Sequence, residues 1–71
     1  TVDMSKISQK LGLNLRRYRL NLGMTQILFA KKLKVDTAYL SNLENGNKNP
    51  TLDTLEKIAL RLGVGAAELI S

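Results

Sequence analysis

The chain has 71 residues, with eleven Lys and Arg against six Asp and Glu, a formal net charge of +5, and neither Cys nor His. One small domain is expected, whose folding hides only about 60% of the surface that the unfolded chain exposes. Disulfides and any zinc site built from Cys and His are excluded, and the excess of cations favours an anionic partner, nucleic acid ahead of a membrane surface.

No apolar run reaches the roughly 18 residues of a membrane span, and no signal-type apolar segment opens the sequence. An intracellular, cytoplasmic protein without membrane attachment is therefore expected. The opening Thr1 is expected from processing or trimming.

Glycines and one proline cut the chain into short helical pieces. The first is predicted from about Ser5 to Leu22, where Ile7, Leu11, Leu15, Tyr18 and Leu22 share one stripe of period 3.6. Gly12 inside it costs about 1 kcal/mol relative to alanine, so fraying before that point is expected. Gly23 suits a left-handed cap at its end. The second helix is predicted over Thr25–Leu33 with Thr25 as N-cap, and Lys31, Lys32 and Lys34 crowd its C-terminal end, where the helix dipole favours cations. The third is predicted from Asp36, again a capping residue, to Asn45. It sets Leu40 and Leu43 inward and leaves Thr37, Ala38, Ser41 and Asn42 on other faces.

Gly46-Asn47-Lys48-Asn49-Pro50 reads as a loop, with Asn49 held extended by the proline that follows. Thr51 then caps a fourth helix with Leu52, Leu55, Ile58, Ala59 and Leu62 as its apolar stripe, and Gly63 ends it. A last short helix is predicted over about Ala66–Ile70. No strand-type alternation occurs, so the fold class is all-α.

Two short helices joined by about three residues have the helix-turn-helix layout, in which the second helix enters the major groove of DNA. A basic chain and a polar outer face on that second helix agree with it. With no His, no Cys and only six scattered carboxylates, no activated nucleophile, general base or metal site is evident, so no enzyme is expected, and no cofactor is implied. The glycine spacing fits no phosphate-cradling loop. A protein-interaction module is the competing class, but such a module would carry acids or apolar residues on the third helix. Too few aromatics are present to stack RNA bases.

The run Thr25-Gln26, Phe29-Ala30, Leu33, Val35-Asp36, Tyr39-Leu40-Ser41, Leu43-Glu44-Asn45-Gly46, Pro50 and Leu52-Asp53-Thr54-Leu55 resembles the lambda-repressor-like family, the Cro/cI-type or XRE helix-turn-helix group. The resemblance extends over about Leu11 to Leu69. It implies a five-helix domain that binds a palindromic operator in double-stranded DNA as a homodimer and blocks or recruits RNA polymerase. It also implies residue roles. Gln26 touches phosphate and braces the reading helix. Thr37, Ala38, Ser41 and Asn42 read bases, with Asn42 suited to adenine, and Tyr39 meets a base or phosphate. Lys34, Asn47, Lys48 and Asn49 follow the DNA backbone, with Arg16 and Arg17 as weaker phosphate candidates. Arg19 and Glu44 form a structural ion pair. Leu62, Val64, Leu69 and Ile70 are candidates for the dimer interface, or for the core. A phage-type repressor, a restriction–modification controller and an antitoxin all fit. The full helical set in so short a chain favours a stand-alone regulator.

Three positions depart from the family pattern. Lys34 stands where glycine is usual, so either a lysine takes a left-handed conformation at about 1–2 kcal/mol or the turn differs. Ile27 and Leu28 replace polar residues, either extending the core or touching a neighbouring protein. Gly65 replaces a serine-type cap, so a weak last helix is expected.

Overall fold

A computed structural model describes residues 4–71. Five helices follow in order: α1 Met4–Asn21, α2 Gln26–Leu33, α3 Thr37–Glu44, α4 Leu52–Leu62 and α5 Ala66–Leu69. No strand occurs among the described residues. Thr25 Oγ1 accepts from the Leu28 N–H at 3.2 Å, and Thr51 Oγ1 accepts from the Thr54 N–H at 3.2 Å, so two helix starts are capped by threonine. Asp36 holds the N-cap position of α3 with extended backbone, but its carboxylate makes no cap hydrogen bond. Gly65 opens α5, where its own N–H donates to Glu68 Oε1 at 3.4 Å. That helix ends at Leu69, so Ile70 lies just past it.

One closing geometry ends the first four helices. Backbone N–H groups of Met24, Val35, Asn47 and Val64 donate back to carbonyls of Arg19, Ala30, Asn42 and Ala59, at 2.9 to 3.1 Å. This closure needs a left-handed residue just before the donor. Gly23, Gly46 and Gly63 supply it three times, and Lys34, with φ 59°, supplies it once. The turn before α3 therefore keeps the family shape, and a lysine bears the strain.

Leu11, Leu15, Phe29, Ala30, Leu33, Leu40, Leu43, Leu55, Ile58, Ala59 and Leu69 form the buried core. All five helices contribute, and a fully buried Leu or Phe stabilises by about 1.5–3 kcal/mol. Four readings are narrowed or changed here. Leu69 is 0% exposed, so it belongs to the core and not to an interface. Leu22 is exposed because α1 ends one residue before it, and Leu52, in the first turn of α4, is 78% exposed because that helix starts outside the core. Ile27 and Leu28 are exposed and extend no core. Helix α1 continues through Gly12 without a break.

Gly12 is buried against the end of α3. A Cβ at this position would lie 2.4 Å from the Leu43 carbonyl oxygen and 2.6 Å from that of Glu44. The glycine thus removes the one atom that would hold α1 off α3, and packing there outweighs its poor helix propensity. Gly12→Ala gains about 1 kcal/mol of propensity but meets backbone that cannot rotate away. A net loss of about 1–3 kcal/mol is expected, as for overpacked cores, measured as a lower midpoint in urea.

Candidate nucleic-acid interface

Helices α2 and α3 are joined by Lys34, Val35 and Asp36. Leu40 and Leu43 turn α3 onto the core. The helical period then places Ala38 and Asn42 opposite them, with Thr37 and Ser41 beside. Thr37 and Ala38 are exposed, and Ser41 and Asn42 are half-buried. These four side chains share one outward face. Tyr39 does not stand with them; its half-buried ring packs against the core and lines a shallow cleft with Lys34, Val35, Asp36 and Thr54. Helix α3 carries no cation.

The C-terminal end of α3 is held by a hydrogen-bonded network. Arg19 of α1 donates from Nε to Glu44 Oε2 at 2.8 Å and from Nη2 to Glu44 Oε1 at 3.0 Å. Its third nitrogen, Nη1, donates to the Met24 carbonyl at 3.2 Å, in the loop that leads into α2. Gln26, the first residue of α2, donates from its side-chain amide to Glu44 Oε1 at 3.3 Å. The Glu44 side chain is only 3% exposed, yet both its oxygens are satisfied. Hydrogen bonding to Glu44, opposed by burial and helped by the opposite charge, raises the Arg19 pKa above its ordinary value. Arg19 is therefore a cation at any pH at which the domain would be assayed.

Asn47, Lys48 and Asn49 are exposed in the loop after α3. The buried Ser8 hydroxyl of α1 donates to Asn49 Oδ1, which ties this loop to α1 and leaves the Asn49 amide hydrogens as the groups suited to phosphate. Gly46 sits close to Gln9 in the same junction. Arg16 and Arg17 are exposed on α1. Leu62, Val64 and Ile70 are half-buried against the core at the α4–α5 end. Asn14 of α1 donates from Nδ2 to the Leu69 carbonyl at 2.8 Å and so fixes the end of α5. Ser8, Gly12, Asn14 and the Met24 carbonyl escape sequence reasoning. Each acts through a partner distant in the chain, and Ser8 beside a helical stripe is the one local hint.

Two substitutions probe this frame. Arg19→Ala leaves the Glu44 carboxylate buried with Gln26 alone, and a loss of about 3–5 kcal/mol is expected in thermal or urea unfolding. A variant that melts like the parent removes the network from the fold. Lys34→Gly relieves the left-handed strain, and a gain of about 1 kcal/mol is expected, seen as a melting temperature several degrees higher.

Residues 15–69 match a family profile described as helix-turn-helix. The chain is 39% identical over 70 residues to an uncharacterized HTH-type transcriptional regulator, y4dJ, of Sinorhizobium fredii, covering 99% of this chain and 87% of that one. It is 36% identical over 69 residues to control protein C.MunI of a Mycoplasma species, covering 96% and 93%. Among solved structures, a hypothetical transcription factor from Neisseria superposes with a TM-score of 0.83 at 33% identity, over 99% of this chain and 80% of that one. The restriction-modification controller C.Esp1396I, solved as a tetramer on its natural 35 base-pair operator, superposes with a TM-score of 0.75 at 32% identity, over 89% and 83%. With the α2–α3 geometry and the polar outer face of α3, these likenesses establish that the chain belongs to the lambda-repressor-like helix-turn-helix family of DNA-binding transcriptional regulators.

Proposed function

We propose that the chain is a sequence-specific regulator that places α3 of two protomers in successive major grooves of a palindromic operator. The observation that carries this reading is the outward face of Thr37, Ala38, Ser41 and Asn42 on a helix whose other side is buried. Asn42 reads adenine through a two-point hydrogen bond, while Ala38 or the Thr37 methyl touches a thymine methyl. Tyr39, on the flank, reaches the edge of the groove with its hydroxyl. Gln26, Lys34, Asn47, Lys48 and Asn49 meet phosphates and set the register. Arg19 and Glu44 act through position, by aiming α3.

The homodimer forms through the α4–α5 end, where Leu62, Val64 and Ile70 are partly open. Half-sites then lie about 34 Å apart, one turn of DNA. The bound dimer acts on transcription in the cytoplasm by blocking or recruiting RNA polymerase. The likenesses to C.MunI and C.Esp1396I favour a controller of a restriction–modification operon among the family's roles.

Selection of bound sites from random duplex DNA tests the reading as a whole. A two-fold symmetric consensus is expected, and no enrichment over the starting pool rejects it. On the selected site, Asn42→Ala is expected to cost about 1–3 kcal/mol and to relax preference at one base position. Lys48→Ala is expected to weaken all sequences alike and to lower the slope of log affinity against log salt by about one. Equal behaviour of the two variants would remove Asn42 from base reading.

A further inference from the structure

The net charge of this chain has a location. Helix α1 carries Lys6, Lys10, Arg16, Arg17 and Arg19 and no Asp or Glu. Six Lys and Arg remain elsewhere, and the whole chain has six Asp and Glu, so the formal +5 resides in α1. Arg19 turns inward onto Glu44, whereas the other four cations are exposed. Lys6, Lys10, Leu13, Arg17 and Leu20 recur at steps of four, three, four and three, the spacing that keeps side chains on one line of a helix. Leu13 and Leu20 on this line are 61% and 58% exposed. The line lies on the side of α1 away from Leu11 and Leu15 in the core, and away from Gly12 and Arg19, which meet α3.

We propose that this outer stripe of α1 docks an acidic amphipathic helix of a partner protein. The leucines decide the chemistry. A phosphate backbone attracts the cations but gains nothing from two exposed leucines in line with them. Lys57 on α4 is partly neutralised along its own helix by Asp53 at 3.1 Å, whereas α1 has no carboxylate to neutralise its cations. A second copy of the same stripe would set lysine and arginine against their equals. A helix with apolar residues at the matching steps and Glu or Asp flanking them would cover the leucines and neutralise the cations together. From Lys6 to Leu20 the stripe is about 21 Å long, or four turns of such a partner. Because the stripe faces away from α3, the partner and DNA can occupy one domain together. The inference does not depend on operator reading.

The probe is a synthetic helical peptide with Leu and Glu at this spacing, beside a peptide of the same residues in scrambled order. Titration of the isotope-labelled full chain, followed by amide shifts in NMR and by peptide fluorescence anisotropy, is expected to move resonances along Lys6–Leu20. The scrambled peptide is expected to bind at least tenfold more weakly. Leu13→Gln with Leu20→Gln is expected to weaken binding at least tenfold at an unchanged melting temperature. Lys6→Gln with Lys10→Gln is expected to weaken it and flatten its salt dependence, while affinity for a random-sequence duplex and its salt slope stay those of the parent. Equal binding of the two peptides, or of the leucine variant and the parent, overturns the proposal. So does a lower melting temperature of the leucine variant, which assigns those side chains to the fold. A smaller salt slope for duplex binding by the cation variant makes the stripe a DNA-backbone surface and likewise overturns it.

Discussion

Glu44 is the point on which the orientation of the reading helix depends. It is the last residue of α3, and a carboxylate there opposes the negative end of the helix dipole. Buried as well, it is costly unless a cation and further donors reach it. The fork of Arg19 answers both demands at once, and the Gln26 amide adds a donor from the start of α2. Such a pair adds little net stability compared with apolar packing of the same volume. Its contribution is geometric: three elements of the chain meet at two oxygens, and α3 has one angle that satisfies them all.

The two ends of α3 are thereby treated differently. At the C-terminal end, Gly12 lets α1 come against the last carbonyls, and Ser8 ties the following loop through Asn49. At the N-terminal end, three residues return the chain from α2, and their shape is that of the glycine-closed turns elsewhere in the molecule. Lys34 holds this shape at a cost in strain that glycine would not incur. A side chain kept in a strained conformation needs a compensating gain. An ammonium group at the turn that precedes the reading helix is where such a gain can be realised, because phosphate contact is a matter of position as well as charge.

Local chemistry explains which features could be read directly from the sequence. Thr25 and Thr51 before apolar runs mark helix starts, and Gly63 marks an end, because caps depend on neighbours within a few residues. The polar outer face of α3 follows from period alone once Leu40 and Leu43 are taken as inward. Gly12 shows the opposite case. Read locally it is a flaw in a helix, and only the backbone of α3, some thirty residues on, shows what the missing Cβ makes possible. The stripe rule likewise misleads at Leu22 and Leu52, since periodicity continues past the place where the core stops. Leu69 fails as an interface residue for a related reason: apolar character cannot tell a protomer's own core from a surface shared with a partner. Gln26, which the resemblance implies braces the reading helix, meets Glu44, eighteen positions away, a partner that spacing alone could not name.

The placement of charge bears on how such a domain holds DNA. Helix α3 itself is without cations, so in the proposed reading bases are read by neutral side chains, which discriminate by hydrogen-bond pattern and not by attraction. The same reading draws its attraction from the flanks, where Lys34 and Lys48 stand exposed in the turn and the loop on either side of α3. Each phosphate neutralised contributes roughly −0.9 to the salt slope, so one domain with two such cations has a small electrostatic grip. Two domains joined on one operator double the released counterions without any further contact per domain. The proposed pairing through the α4–α5 end therefore answers a shortfall in the reading surface itself. Lys6 and Lys10 on the outer side of α1 have no part in that proposed reading, and their alignment with exposed Leu13 and Leu20 is what the proposed helical partner accounts for.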